Sequence, residues 1–190
     1  MIESLKNLDA ALLLFINHLN NPVLDFIFYW ISDKWVWIPF YAFLAFKVYK
    51  NNPGHFFIVL VFIAAAITLS DQISSSVIKV NTMRLRPCHD PTIASQVHLV
   101  NNYCGGQFGF VSSHAANVFA LTSFLAILFR PKYRLLMKCL WIWAIVVSFS
   151  RIYLGVHFPG DVIGGAFLGI LIGWLLGRIY ITLILKPIIK

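Results

Sequence analysis

Charge is scarce in this chain, and acidic charge is scarcer still. Asp and Glu together number 7 against 15 Lys and Arg in 190 residues. Charged residues make up 12%, where soluble domains carry about 25%. A water-soluble globular domain is therefore excluded. Basic residues never stack into a run, so the net charge of +8 does not describe a nucleic-acid-binding face. Cysteine is sparse at 3, too few for a disulfide-built scaffold. The pattern of a cleavable signal is also missing from the N-terminal stretch. Leu8–Ile16 is apolar, but Glu3 precedes it and no small-residue cleavage site follows, so the segment is expected to stay in the mature protein. Internal repeats and low-complexity tracts are absent.

What the chain has instead is grease. Hydrophobic residues make up 59% and the mean hydropathy is +0.80, the composition of an integral membrane protein. The 17 Phe and 6 Trp suit lipid-facing and interfacial positions. The length fits one domain, residues 1–190. A spanning helix needs about 20 apolar residues. Candidates are His55–Ile78, His114–Phe129, Leu135–Leu154 and Val162–Leu185, the last with Gly164, Gly165, Gly169, Gly173 and Gly177 placed for a close helix contact. Trp35–Tyr49 is apolar but short and holds Pro39. Pro22–Ser32 carries Asp25, and Ser4–Leu19 has the pattern of a surface helix. The expected fold is all-α: a polytopic transmembrane helix bundle of five spans, six as the alternative, plus the N-terminal surface helix.

Lys47, Lys50, Arg130, Lys132, Arg134, Lys138, Lys186 and Lys190 then share one face, cytoplasmic by the positive-inside tendency. The loop of residues 80–113 and the turn of residues 152–160 fall on the other. That loop is long for a compact domain and rich in Pro, Asn and Gly, with Pro91–His98 as a short helix. Cys88 and Cys104 flank it and can form a disulfide if it lies outside the cytoplasm. Cys139 lies in an apolar run as a packing residue.

Three polar clusters interrupt the apolar background, all on that second side: Lys79–Pro87, Val111–His114 and Ser150–Asp161. Ionisable groups near lipid are costly and point to function. Asp71, Ser75 and Lys79 are spaced four apart and form a stripe facing the bundle interior. Arg86 offers a planar fork suited to phosphate oxygens. Ser112 or Ser113 caps the next helix, whose N-terminus points N–H groups at an anion, with His114 in its first turn. Asp161 can accept from His157 and fix its tautomer, leaving the other ring nitrogen free to attack phosphorus. Taken singly, each cluster has a plainer reading: Lys79, Arg84 and Arg86 as snorkelling anchors, the serines as caps, Asp161 as a cap paired with Arg151. Together they hold the parts of a phosphoryl-transfer site.

These residues resemble the three signature motifs of the type 2 phosphatidic acid phosphatase superfamily. Lys79, Arg86 and Pro87 match the first motif, and Ser150, Arg151, His157 and Asp161 match the third. The second is matched at Ser112 and His114, with Val111 where the family has Pro and Ser113 where it has Gly. The resemblance implies a metal-independent membrane lipid phosphatase without cofactors. In it, His157 is the nucleophile of a phosphohistidine, Asp161 orients it, and His114 protonates the leaving oxygen. Lys79, Arg86, Arg151, Ser112 and the Ser113 amide hold the phosphate. Implied substrates are undecaprenyl diphosphate, lipid A phosphates, phosphatidylglycerophosphate and phosphatidic acid, at the outer side of the inner (plasma) membrane. The partners expected are this lipid phosphate, released phosphate and the membrane, with no nucleic acid. A phosphotransferase on the same site and a non-enzymatic anion or lipid transporter are the alternatives. His18 and His55 read as interfacial. His89, Asp90 and His98 match no metal motif in their spacing and can instead touch a headgroup.

Overall fold

A computed structural model of the chain describes residues 2–129 and 133–185. The fold is all-α, and its helices are α1 (Ile2–Asn17), α2 (Pro22–Ser32), α3 (Ile38–Asn51), α4 (Phe56–Gln72), α5 (Lys79–Thr82), α6 (Ser113–Phe129), α7 (Arg134–Tyr153) and α8 (Pro159–Tyr180). A π-helical segment, Ile73–Ile78, joins α4 to α5 without a break, so Pro53–Thr82 is one rod of 30 residues.

The expectation of five or six spans is corrected. Three helices are long and apolar enough to cross a membrane: Pro53–Thr82, Arg134–Tyr153 and Pro159–Leu185. A fourth is reached only if α1 and α2, bent by 115° at their junction, count as one broken span. The reason is length. The segment expected at Trp35–Tyr49 opens as a 3₁₀ turn, Lys34–Trp37, and leaves α3 only 14 residues, about 21 Å at 1.5 Å per residue. α6 has 17 residues, about 25 Å, against a hydrocarbon core of about 30 Å.

α6 is apolar for a different reason: it is the buried centre of the bundle. Ala115, Ala116, Phe119, Ala120, Phe124 and Leu125 are all buried along it. α8 lies against it so closely that Cβ atoms at Gly165, Gly169 and Gly173 would land on the carbonyl oxygens of Ser112, Ala116 and Ala120. The expected glycine contact is therefore present, and its partner is α6. α4 and α7 cover the remaining sides, with Phe62 stacked on Phe124 and Leu140 and Ala144 fully buried.

α1 and α2 are tied to the far end of α7. Asn17, fully buried, donates to the carbonyls of Tyr153 and His98 and accepts from the His98 N–H. Asp25, the charge in an otherwise apolar α2, accepts from the Tyr153 hydroxyl at 2.7 Å and faces His98 Nε2 at 2.9 Å. His98 thus serves the scaffold. The turn from α7 to α8 needs Gly155, whose φ of +70 suits glycine. The long loop holds only 3₁₀ turns where the short helix at Pro91–His98 was expected, as at Ala94–Gln96. Cys88 and Cys104 are joined by a disulfide across it, with Cα atoms 6.1 Å apart. Cys139 is exposed on α7, and so is not the packing residue expected.

Candidate active site

Four helix ends meet where the polar clusters lie: the C-terminal ends of the α4–α5 rod and of α7, and the N-terminal ends of α6 and α8. Each end brings one part. The rod ends with Lys79, whose Nζ donates to Ser113 Oγ at 2.9 Å. Ser74 Oγ donates to the same hydroxyl at 2.8 Å. The polar stripe on this rod therefore runs Asp71–Ser74–Lys79, not through Ser75 as expected. The π segment adds a residue to the local turn, and within it Ser74 is buried while Ser75 is half-buried. Ser75 instead donates to the Asp71 carbonyl.

α6 begins at Ser113. Ser112, fully buried, accepts from the Ala115 and Ala116 N–H groups, and its own N–H donates to the Asp161 carbonyl at 2.9 Å. That bond locks the starts of α6 and α8 together. His114 lines the same cavity as Lys79, Arg86 and Ser113.

The third cluster is the most buried. Ser150, Arg151, His157 and Asp161 are each 5% exposed or less. Ser150 Oγ donates to the Val147 carbonyl within α7 and so serves the helix, while Arg151 Nη1 donates to Ser32 Oγ of α2. Arg151 does not pair with Asp161, contrary to the plainer reading. His157 Nδ1 lies 3.4 Å from Asp161 Oδ2, and its Nε2 lies 3.3 Å from Arg86 Nη1. A guanidinium only donates, so Nε2 is the unprotonated nitrogen and Nδ1 carries the proton. Burial pushes the His157 imidazole well below its ordinary range, and the charges of Arg86, Arg151 and Lys79 push the same way. Its resting state is neutral. Burial also lowers the Arg86 guanidinium, which stays charged. Arg86 Nε and Arg151 Nε have no partner among the described residues, so two guanidinium forks hold unused donors beside one imidazole.

A cavity of about 720 Å³ runs into the bundle from Lys79, Arg86, Ser113 and His114, with Arg86 between it and His157. Its head is polar, with Lys34, Asp71, Lys79, Arg86, Ser113 and His114. Its shaft is apolar, walled by Leu44, Leu60, Ile63, Leu121, Leu125 and Trp143 from α3, α4, α6 and α7. Cationic head and greasy shaft together match an amphiphile with an anionic end.

The chain matches the family model of the PAP2 superfamily over residues 55–184. The chain belongs to that superfamily. It is 40% identical to the lipid A 4′-phosphatase of Bacteroides thetaiotaomicron over 179 residues, covering 92% of this chain and 78% of that one. It is 35% identical to the lipid A 4′-phosphatase of Porphyromonas gingivalis over 184 residues, covering 95% and 76%. Among solved structures it resembles the PAP2 type phosphatidylglycerolphosphate phosphatase of Bacillus subtilis, with a TM-score of 0.68 at 22% identity over 95% of this chain and 88% of that one. Aquifex aeolicus LpxE gives 0.64 at 22% identity over 88% and 93%. These last two bear on the fold alone. The PAP2 chain described here is an integral membrane protein with several spans, and a phosphatase-like enzyme of the lipid phosphatase type.

Several residues of this PAP2 site were missed in the sequence. Arg84 Nη1 donates to Asp161 Oδ1 at 2.9 Å, and its Nη2 donates to Asp9 Oδ2 at 2.6 Å. Ser32, Ser74 and Asn117 hold Arg151, Ser113 and Asp71. Arg84 was visible as a third cation in the first cluster; the others carry no local signal. Cys88, His89 and Cys104 are the one group among the described residues close enough to share a metal ion, with ligand atoms within 4.8 Å. Both sulfurs are spent in the disulfide, so the thiolates such a site needs are absent.

Proposed function

We propose that this PAP2 protein removes a phosphate monoester from a lipid of the lipid A class, through a phosphohistidine on His157, on the outer side of the inner membrane. The observation that carries it is the cavity: Lys79, Arg86 and His114 stand at the head of one apolar shaft, and Arg86 in turn reaches the buried His157 Nε2 at 3.3 Å. The two curated relatives, both lipid A 4′-phosphatases, favour lipid A over the other lipid phosphates. The disulfide supports the outer face, since such bonds persist in oxidising compartments. So do Lys47, Lys50, Arg134 and Lys138, which sit at the helix ends away from the site. Arg130, Lys132, Lys186 and Lys190 lie outside the described residues.

The chemistry divides into two displacements. Phosphate oxygens settle among Lys79, Arg86, Arg151, Ser112 and the Ser113 amide. His157 Nε2 attacks phosphorus as the bond to the lipid oxygen breaks, and His114 gives that oxygen a proton. Asp161 accepts the Nδ1–H and balances the charge on the ring. Water then attacks the phosphohistidine, His114 takes its proton, and the N–P bond breaks to release phosphate. Charge stabilisation and alignment supply most of the rate in such a transfer. A transporter would hold its charges near the midplane between broken helices, whereas these sit at helix ends on one side.

A phosphate-release panel over purified lipid phosphates in detergent tests the proposal. Bisphosphorylated lipid A should be dephosphorylated fastest, with free phosphate and no phosphorylated second product. His157→Ala should be silent while folding normally. Retained turnover in that variant would sink the nucleophile assignment, and a preference for diphosphates would sink the substrate.

A further inference from the structure

One cation beside the site is paired with carboxylates. Arg84, like Arg151, His157 and Asp161, does not line the cavity, and it borders a separate shallow pocket with Leu5, Lys6, Asp9, Thr82 and Phe110. It stacks over the Phe158 ring, 4.3 Å from its centroid, and divides its guanidinium between two carboxylates from opposite ends of the chain. One is Asp161 of α8. The other is Asp9 of α1, whose second oxygen accepts from the Gly160 N–H at 2.8 Å. Asp161 is fully buried, and a buried carboxylate stays ionised at tolerable cost only when paired and hydrogen-bonded. Its Oδ2 takes the Phe158 N–H and faces His157 Nδ1, while Arg84 occupies Oδ1. A chain of contacts thus runs Asp9–Arg84–Asp161–His157.

We propose that Arg84 is a positioning residue: clamped by Asp9, it holds the Asp161 carboxylate ionised and in the rotamer that keeps the proton on His157 Nδ1. α1 is then part of the catalytic unit and not merely a covering helix. No ligand contact is required of Arg84 or Asp9. Their effect reaches phosphorus only through the imidazole, as outer-shell carboxylates act on metal-ligating histidines.

This rests on the phosphatase reading above, and the experiment separates the two. Wild type, Arg84→Gln, Arg84→Lys and Asp9→Asn are assayed on bisphosphorylated lipid A in detergent, and ¹⁵N-histidine spectra of the same samples report the His157 tautomer. Arg84→Gln should lower kcat by about 10- to 100-fold with KM within about threefold. Its His157 should lose the fixed Nδ1–H tautomer. Arg84→Lys should recover part of both signals, and Asp9→Asn should show a smaller loss in the same direction. An unchanged kcat in folded Arg84→Gln overturns the proposal. So does a rise in KM at constant kcat, which would make Arg84 a phosphate contact. If Arg84→Gln does not fold, the Lys and Asn variants are held to the same criteria. A silent wild type would refute the phosphatase reading, and the tautomer comparison would still decide this one.

Discussion

Adding a single methyl group at Gly169 tests the packing on which the site stands. A Cβ there would fall on the Ala116 carbonyl oxygen and lie 2.9 Å from the Ala120 nitrogen. Both are backbone atoms of α6, so no side chain can swing aside. α6 cannot retreat either, because on its other sides Phe124 packs on Phe62 of α4 and Phe119 on Trp141 of α7. Overpacking of this kind costs about 1–3 kcal/mol. The exchange of Gly for Ala returns up to about 1 kcal/mol of helix propensity. The clash is with main chain, so the upper half of the range applies and the net loss is about 1–2 kcal/mol. At about 2–4 °C per kcal/mol for a chain of this size, Tm in detergent should fall by about 2–8 °C. Gly165→Ala, one turn nearer the site, meets the Ser112 carbonyl instead. Ser112 is bonded to the Asp161 carbonyl, so this variant should lose activity in step with stability. Thermal melts of both variants, read beside phosphate release, make the test. An unchanged or raised Tm for Gly169→Ala would show that propensity outweighs contact and that α6 and α8 are not in close register.

Three further outcomes are expected. Because burial and neighbouring cations lower the His157 pKa, the acid limb of kcat/KM should lie below the ordinary imidazole value of about 6.5; a limb at or above that value would refute the buried neutral nucleophile. The same shift makes stability complete above about pH 6.5 and progressively lost below it, since the unfolded chain takes up a proton there that the folded site refuses. Arg151→Lys should cost at least about tenfold in kcat/KM, because a fork becomes a point charge; an unchanged rate would assign Arg151 to anchoring alone. Cys88→Ser should lower Tm under oxidising conditions only, the loop of separation 16 being worth about 3 kcal/mol of chain entropy, and equal melting with and without reductant would dismiss the bond.

The parts of the site were legible because charge is conspicuous in a chain this apolar. Lys79, Arg86, His114, Arg151, His157 and Asp161 stand out in any window, and the structure brings them to one end of the bundle. The span count was not legible, because hydropathy cannot tell a helix buried in protein from one facing lipid. α6 is as apolar as a span and is sheathed by its neighbours. The π segment was invisible for a related reason: nothing in Ile-Ser-Ser-Ser-Val-Ile distinguishes one extra residue per turn from a regular helix, yet it decides that Ser74 faces inward. Asp9 and Arg84 are 75 residues apart, so no local pattern could pair them.

The charge balance of the pocket bears on what the start of α6 can bind. Among the described residues, no carboxylate pairs directly with Lys79, Arg86 or Arg151; their partners are the hydroxyls of Ser113 and Ser32, the Val156 carbonyl and the His157 imidazole. Neutral partners satisfy hydrogen bonds but leave the charge standing. Asp161 is engaged by Arg84, and Asp71 by the Asn117 amide at 3.4 Å. What remains is a surplus of positive charge facing the N-terminus of α6, where free N–H groups already favour an anion. The N-terminus of α6 lies where the rod delivers Lys79 and the long loop delivers Arg86. The apolar shaft then begins one turn further along α6, at Val118 and Leu121, so the cavity is cationic at that terminus and apolar beyond it.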